Sequence, residues 1–271
     1  MSLPKFPKNT SPLVVNSHPR SGTHLLIDLL RRQYKECAIK KTWDRGLDDL
    51  YFSIEGLLDA KADIDKIEKK GLRVLASCEA PLVKYHCYSE GLLKIKFPDW
   101  MHYLSKCKSI YIYRNLYDVL CSTYIYMQSF ENAGKGVSLS AFIRQPFANS
   151  PNRVHFWLNE VQHQRSRTSN LMLSYEDIID NTESVLDQLD VFLSLKSIRY
   201  VPLLPPKTYN KWKIRWQRLF SSYPNNTAIL ASHNGITKLN SDTAFSKQDL
   251  NFINDMAGST LTDLGYPIKN K

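Results

Sequence analysis

The segment that most restricts this chain runs Val14-Val15-Asn16-Ser17-His18-Pro19-Arg20-Ser21-Gly22-Thr23-His24-Leu25-Leu26. An apolar run enters a polar turn, and a helical pattern leaves it. Strand-to-helix corners of this kind build α/β proteins with parallel sheets. The turn holds Pro19, Gly22, the hydroxyls of Ser21 and Thr23, and the fixed cation of Arg20. Backbone N–H groups at a helix start point at an anion, and the helix dipole favours negative charge there. Arg20 stays protonated at any working pH. The plain alternative is a structural corner that needs its glycine. The other reading makes Arg20, Ser21, Gly22, Thr23 and His24 an anion cradle.

The usual nucleotide P-loop is absent. Its pattern, G-x-x-x-x-G-K-[ST], ends in a lysine and a magnesium-binding hydroxyl. Here Arg20 precedes Gly22 and His24 follows Thr23, and no later apolar run closes on an obvious metal-binding Asp. A phosphate-bearing ligand without a metal is the expectation.

A second segment, Ser109-Ile110-Tyr111-Ile112-Tyr113-Arg114-Asn115-Leu116-Tyr117-Asp118, also runs from a strand into a helix. β-Branched and aromatic residues suit the strand. Arg114 sits at its carboxyl end, where open α/β sheets gather ligands, and Ser122 lies two helical turns further on. The structural alternative is an Arg114–Asp118 pair with Ser122 filling a helix face.

Together the segments resemble the sulfotransferase family. Pro19-Arg20-Ser21-Gly22-Thr23 is similar to its 5′-phosphosulfate loop, P-K-S-G-T in many members. Arg114-Asn115-Leu116-Tyr117-Asp118-Val119 with Ser122 resembles its 3′-phosphate motif. Ser174-Tyr175-Glu176-Asp177-Ile178 resembles its Y-E-D element. The three stand in the family order within residues 12–180. Arg20 replaces the usual lysine, His24-Leu25 replaces the common ending, and the late R-K-G loop maps only onto Asn234, Gly235 and Lys238.

The resemblance implies an α/β fold of three layers, a central parallel sheet flanked by helices in the P-loop-NTPase-like sulfotransferase manner. It implies 3′-phosphoadenosine-5′-phosphosulfate (PAPS) as sulfuryl donor and no metal. Pro81-Leu82-Val83-Lys84-Tyr85-His86 looks like the family's K-T-H element, which makes His86 the base that takes the acceptor's proton. Imidazole ordinarily titrates near 6.5, which suits that task. Lys84 would contact the sulfonate and Arg20 the leaving phosphate. Arg114 and Ser122 would grip the 3′-phosphate, and Tyr175 would stand near the nucleotide. His18 and His24 are rival bases, and a satisfied structural histidine is the plain alternative for His86.

Composition narrows the classes further. Thirty-six Lys and Arg against 26 Asp and Glu leave a net charge of +10. That excess suits nucleic acid, an acidic membrane or a polyanionic small ligand. No helix-turn-helix, zinc-finger or RNP pattern supports nucleic acid. No apolar run approaches the roughly 18 residues of a membrane span, and the first residues lack the apolar core of a secretory signal. A cytoplasmic protein without stable membrane insertion is expected. Five cysteines without a CxxC argue against a disulfide framework or zinc site.

Strands are expected at Leu13–Ser17, Arg73–Ser77, Ser109–Tyr113 and Asn170–Ser174, with helices such as Leu25–Tyr34 and Asp118–Phe130 between them. Lys41–Gly71 reads as loop with short helices, and Asn132–Ser138 as a loop. The expected organisation is a single domain over residues 1–271. Its donor core is about 12–180, with a lid at about 197–245 whose basic, tryptophan-rich part also resembles an interfacial membrane segment. The expected partner is a small-molecule acceptor with a hydroxyl or amine, and the reading allows a homodimer. Competing readings are transfer to a glycan or glycolipid, a P-loop kinase, and a catalytically silent module that docks on acidic membrane or RNA.

Overall fold

A computed structural model describes residues 6–7, 9–39, 50–130, 136–199, 202–205 and 239–270. In chain order the elements are β1 (Leu13–Ser17), α1 (Thr23–Gln33), β2 (Phe52–Ser53), α2 (Ile64–Leu75), β3 (Leu82–His86), α3 (Glu90–Lys96), α4 (Pro98–Leu104), β4 (Lys108–Tyr113), α5 (Leu116–Phe130), α6 (Leu139–Arg144), α7 (Arg153–Arg165), β5 (Asn170–Ser174), α8 (Tyr175–Asp180), α9 (Thr182–Leu193) and α10 (Lys247–Asp263). The described residues group into two compact units. One contains the chain up to Ser17, Gly22–Ile112, and the chain from Ser169 to residue 205. The other contains His18–Ser21, Tyr113–Thr168, and the chain from residue 239 onward.

The first unit is built on a five-stranded parallel sheet of order β2-β3-β1-β4-β5. Side chains alternate across a strand, and both faces of this sheet are apolar. Leu13 and Val15 of β1, Leu82 of β3, and Ile110 and Ile112 of β4 pack with Leu26, Leu29 and Leu30 of α1 and Leu186 and Leu189 of α9. Val14 and Val83 face the other way, onto Val74 and Leu75 of α2 and Trp100 and Leu104 of α4. Helices therefore cover both faces, the three-layer α/β arrangement expected from the sequence. Parallel strands buried on both sides read as near-continuous apolar runs, which is why β1 and β4 stand out in the sequence.

Two expectations are corrected. Arg73–Ser77 is not a strand. Arg73 to Leu75 end α2, which starts at Asp63, whose carboxylate accepts a hydrogen bond from the Lys66 N–H. The buried set Gly71, Val74 and Leu75 follows helical spacing, and the local run Val74-Leu75 was too short to separate strand from helix. A Cβ at Gly71 would stand 2.6 Å from the Phe52 ring, so the glycine permits the close approach of α2 to β2. The first part of α2 is one of the helices expected within Lys41–Gly71. β3, whose last residue is His86, is a strand absent from those expected.

The second unit is helical. α7 packs with α6, α5 and α10. The Arg153 guanidinium lies over the rings of Phe142 and Phe147, at 4.0 and 4.4 Å from their centroids. Asp249 joins a capping box at the start of α10 and pairs with Arg144. Burial pushes its carboxyl up, but hydrogen bonds from Ser140, Ser246 and Arg144 outweigh that and hold it at about 2. Among the described residues no helix is long and apolar enough to cross a membrane.

Candidate active site

The sheet brings the chemistry-bearing residues of the first unit to one edge. Ser17, the last residue of β1, pairs in register with His86 of β3 and Ile112 of β4. β1 is flanked by β3 on one side and β4 on the other, so the strand order reverses beside it. Carboxyl ends at such a reversal are where open α/β sheets place ligands.

The turn after β1 is closed by a 2.6 Å hydrogen bond between the buried hydroxyls of Ser17 and Thr23. Gly22 adopts φ +99° and precedes α1 as its N-cap. It offers no side-chain acceptor, and no acid stands in the first turn. α2, α7, α8 and α10 are instead capped by Asp63, Asn152, Ser174 and Ser246. The first N–H groups of a helix have no intrahelical partner. At α1 no side-chain cap takes them up, which suits an anion. A Cβ on Gly22 would sit 2.5 Å from the Tyr175 ring. Tyr175 of the Y-E-D element is thereby packed on the cradle. Replacing Gly22 by Ala adds this clash to a left-handed backbone that costs an L-residue roughly 1–2 kcal/mol. Gly22→Ala is expected to lower the melting temperature by several degrees, measured by thermal unfolding.

In β3 the period of two puts Leu82, Lys84 and His86 on one face. Glu55, in a 3₁₀ turn at Ile54–Leu58 that follows β2, organises them. Its Oε1 accepts from the His86 backbone N–H at 2.8 Å and from the Ser89 hydroxyl at 3.0 Å. Its Oε2 stands 3.0 Å from His86 Nδ1 and 3.4 Å from Lys84 Nζ. Burial raises the Glu55 carboxyl, but hydrogen bonding and charge from His86, with charge from Lys84, prevail and hold it at about 2. Burial lowers the Lys84 ammonium and Glu55 opposes that. A carboxylate on Nδ1 fixes which imidazole nitrogen is turned away from it, leaving Nε2 for a proton from elsewhere. Sequence reasoning missed Glu55. The only local signal was one acid inside the apolar stretch Phe52 to Leu58.

Glu55→Gln loosens the imidazole, so a proton transfer that runs through His86 is expected to slow about 10- to 100-fold in kcat. Because the Glu55 carboxyl is held at about 2, below its ordinary 4.5, the wild type carries stability present above that ordinary value and lost as pH falls toward 2. Acid titration of the variant should lack this component.

The second unit holds the other candidates. Arg20 has φ +69°. Its Nε donates to Ser122 Oγ at 3.3 Å, and its guanidinium lies 4.9 Å from the Tyr126 ring centroid. Burial depresses its pKa, Tyr126 opposes this, and the charge of Arg114 depresses it further. The second unit therefore brings Arg20, Ser122 and Arg114 together. Arg114 also meets Asp118 at 3.6 Å, so the pairing weighed from sequence exists beside the cation cluster. Ser21 Oγ is buried without a hydrogen-bond partner, and such an atom is costly unless something accepts from it or donates to it. His18 is buried, with Nδ1 2.8 Å from the Pro19 carbonyl oxygen and its ring beside Phe156. His24 stands edge-on to Tyr51. Asn234, Gly235 and Lys238, and most of the proposed lid, lie outside the described residues.

An uncapped helix start stands at a strand-order reversal, and a histidine held by a carboxylate stands on the neighbouring strand end. The profile described as "Sulfotransferase domain" matches residues 10–243, and the chain belongs to that family. It is 26% identical to rat Sulfotransferase 2A6 over 204 residues, which is 71% of this chain and 62% of the relative. It is 26% identical to mouse Sulfotransferase 1E1 over 191 residues, 68% of this chain and 59% of the relative. The matches thus span about three fifths of those relatives' length. The fold is shared with mouse sulfotransferase SULT7A1 complexed with PAP, at TM-score 0.55 and 17% identity, covering 97% of this chain and 89% of that one. It is shared also with retinol dehydratase in complex with androsterone and inactive cofactor PAP, at TM-score 0.52 and 17% identity, covering 96% and 83%.

Proposed function

We propose that the chain is a single sulfotransferase domain. It moves the sulfuryl group of PAPS to a hydroxyl or amine of a small-molecule acceptor in the cytoplasm. The observation that carries this reading is the register Ser17↔His86, which sets the end of the strand feeding the cradle beside a histidine already held by Glu55. PAP named in the complexes of both fold relatives supports the donor.

The residues fit such a donor. Ser21 has a buried hydroxyl in want of a partner, α1 starts without a side-chain cap, and Arg20 and Arg114 are gathered cations. Arg20, Ser21, Gly22 and Thr23 hold the 5′-phosphosulfate end. Arg114 and Ser122 hold the 3′-phosphate through charge-assisted bonds, the strong kind. His86 takes the acceptor's proton as its oxygen or nitrogen bonds to sulfur. The bond from sulfur to the bridging oxygen breaks, and Arg20 neutralises the negative charge left on the 5′-phosphate. Lys84, now beside Glu55, is the cation available to the transferring sulfonate.

Calorimetry with PAP and AMP tests this. The 3′-phosphate motif predicts a preference for PAP of about tenfold or more, the worth of one charge-assisted phosphate contact. Equal affinities would remove Arg114 and Ser122 from the site. Turnover of ATP that vanishes in chelator and returns with magnesium would point to the kinase reading instead.

A further inference from the structure

The chain continues helically beyond His86, through a 3₁₀ turn at Cys87–Ser89 into α3. Tyr88, Leu92 and Ile95 are spaced four and three residues apart, which puts them on one helical face. They are 43%, 53% and 78% exposed, three of the five large hydrophobic side chains that stand exposed among the described residues. Leu93 points inward, fully buried. The acid of this helix, Glu90, is buried under Tyr85 and Lys94. The charges α3 presents to solvent are Lys94 and Lys96. The stripe starts at the candidate base, because the Tyr88 ring lies 10° from parallel to the His86 imidazole at 5.8 Å.

We infer that this stripe is a contact for an anionic lipid surface, and that the acceptor is a hydroxyl-bearing amphiphile of that surface. The second half rests on His86 being the base. A helix of this length is about 10 Å long. Three exposed side chains on it and on the turn before it offer far less area than the roughly 800 Å² per partner of a stable protein interface. It does match a reversible interfacial contact, in which apolar side chains dip about 5–10 Å into the headgroup boundary while lysines meet anionic lipid. Tyrosine, apolar in body and polar at the tip, suits the same boundary. An amphiphile whose apolar body lies along Leu92 and Ile95 presents its hydroxyl at Tyr88 and His86.

Flotation of the full chain with phosphatidylcholine vesicles, with and without phosphatidylserine, tests the contact. The wild type should float with the mixed vesicles and be released by salt. Leu92→Ser/Ile95→Ser should lose about tenfold in binding, the effect of removing two partly buried aliphatic side chains. Its melting temperature and PAP affinity should stay unchanged. No flotation of the wild type, or equal flotation of the variant, overturns the contact. So does self-association that the variant abolishes in a chain that ignores vesicles, which would give the stripe to a second copy. Sulfation of a long-chain alcohol held in vesicles should fall about tenfold in the variant while that of a dissolved phenol stays constant. Equal losses on both acceptors overturn the amphiphile. Absence of turnover on any acceptor overturns the transfer reading, and leaves the lipid contact decided by flotation.

Discussion

His86→Ala is expected to abolish sulfuryl transfer, by about 10²- to 10⁴-fold in kcat, and to leave PAP affinity within about twofold, because a base on the acceptor side makes no differential contact with the nucleotide. The fold should survive the change. Glu55 loses the ring, but keeps the Lys84 ammonium at 3.4 Å, the Ser89 hydroxyl at 3.0 Å and the backbone N–H of position 86 at 2.8 Å. No carboxylate is therefore left buried without a partner, the circumstance that makes such truncations unfold proteins. Pre-steady-state transfer measured beside PAP calorimetry separates the outcomes. Wild-type turnover in a folded variant would move the base elsewhere. His24 would then be tested before His18, which is buried and already turned to the Pro19 carbonyl.

The parts of this site that were legible in the sequence are those made by neighbours in the chain. The turn from Ser17 to Thr23 carries its whole apparatus within seven residues, so hydroxyls, glycine and cation could be read together. β1 and β4 were legible because apolar runs buried on both faces announce themselves, and β5 through its short apolar run Leu171 to Leu173. β3 was not, since Lys84 and His86, on the same face as Leu82, are polar and break the apolar run. A strand that carries function loses part of the pattern that would reveal it. Glu55 was invisible for a different reason. It is 31 residues from His86, in a stretch with no helical period, and its partners become its neighbours only when β2 pairs with β3. The Ser122 contact to Arg20 spans 102 residues, and no local pattern in the sequence announces it.

Arg20 should separate binding from catalysis in the opposite sense to His86. Its charge is held in a partly desolvated place beside Arg114, and both effects lower its pKa. Two gathered cations repel one another until an anion arrives, so part of the donor's binding energy is relief of that repulsion. Arg20→Ala should therefore weaken PAP by about tenfold or more. It should lower kcat by a further 10²- to 10³-fold or so, because negative charge grows on the leaving phosphate oxygen only as the bond to sulfur breaks. Arg114→Ala should raise the donor KM and spare most of kcat, since a 3′-phosphate contact is the same in ground and transition states. Stability should move the other way from activity. Arg20 has φ +69°, a conformation that costs a non-glycine residue roughly 1 kcal/mol. Arg20→Gly removes both the strain and the repulsion. It is expected to melt a few degrees higher than wild type while transferring as poorly as Arg20→Ala. A glycine variant that is both inactive and less stable would mean that Arg20 braces the turn. One that keeps wild-type kcat with a raised KM would make Arg20 an anchor for the donor, and the leaving charge would then have to be met by another cation.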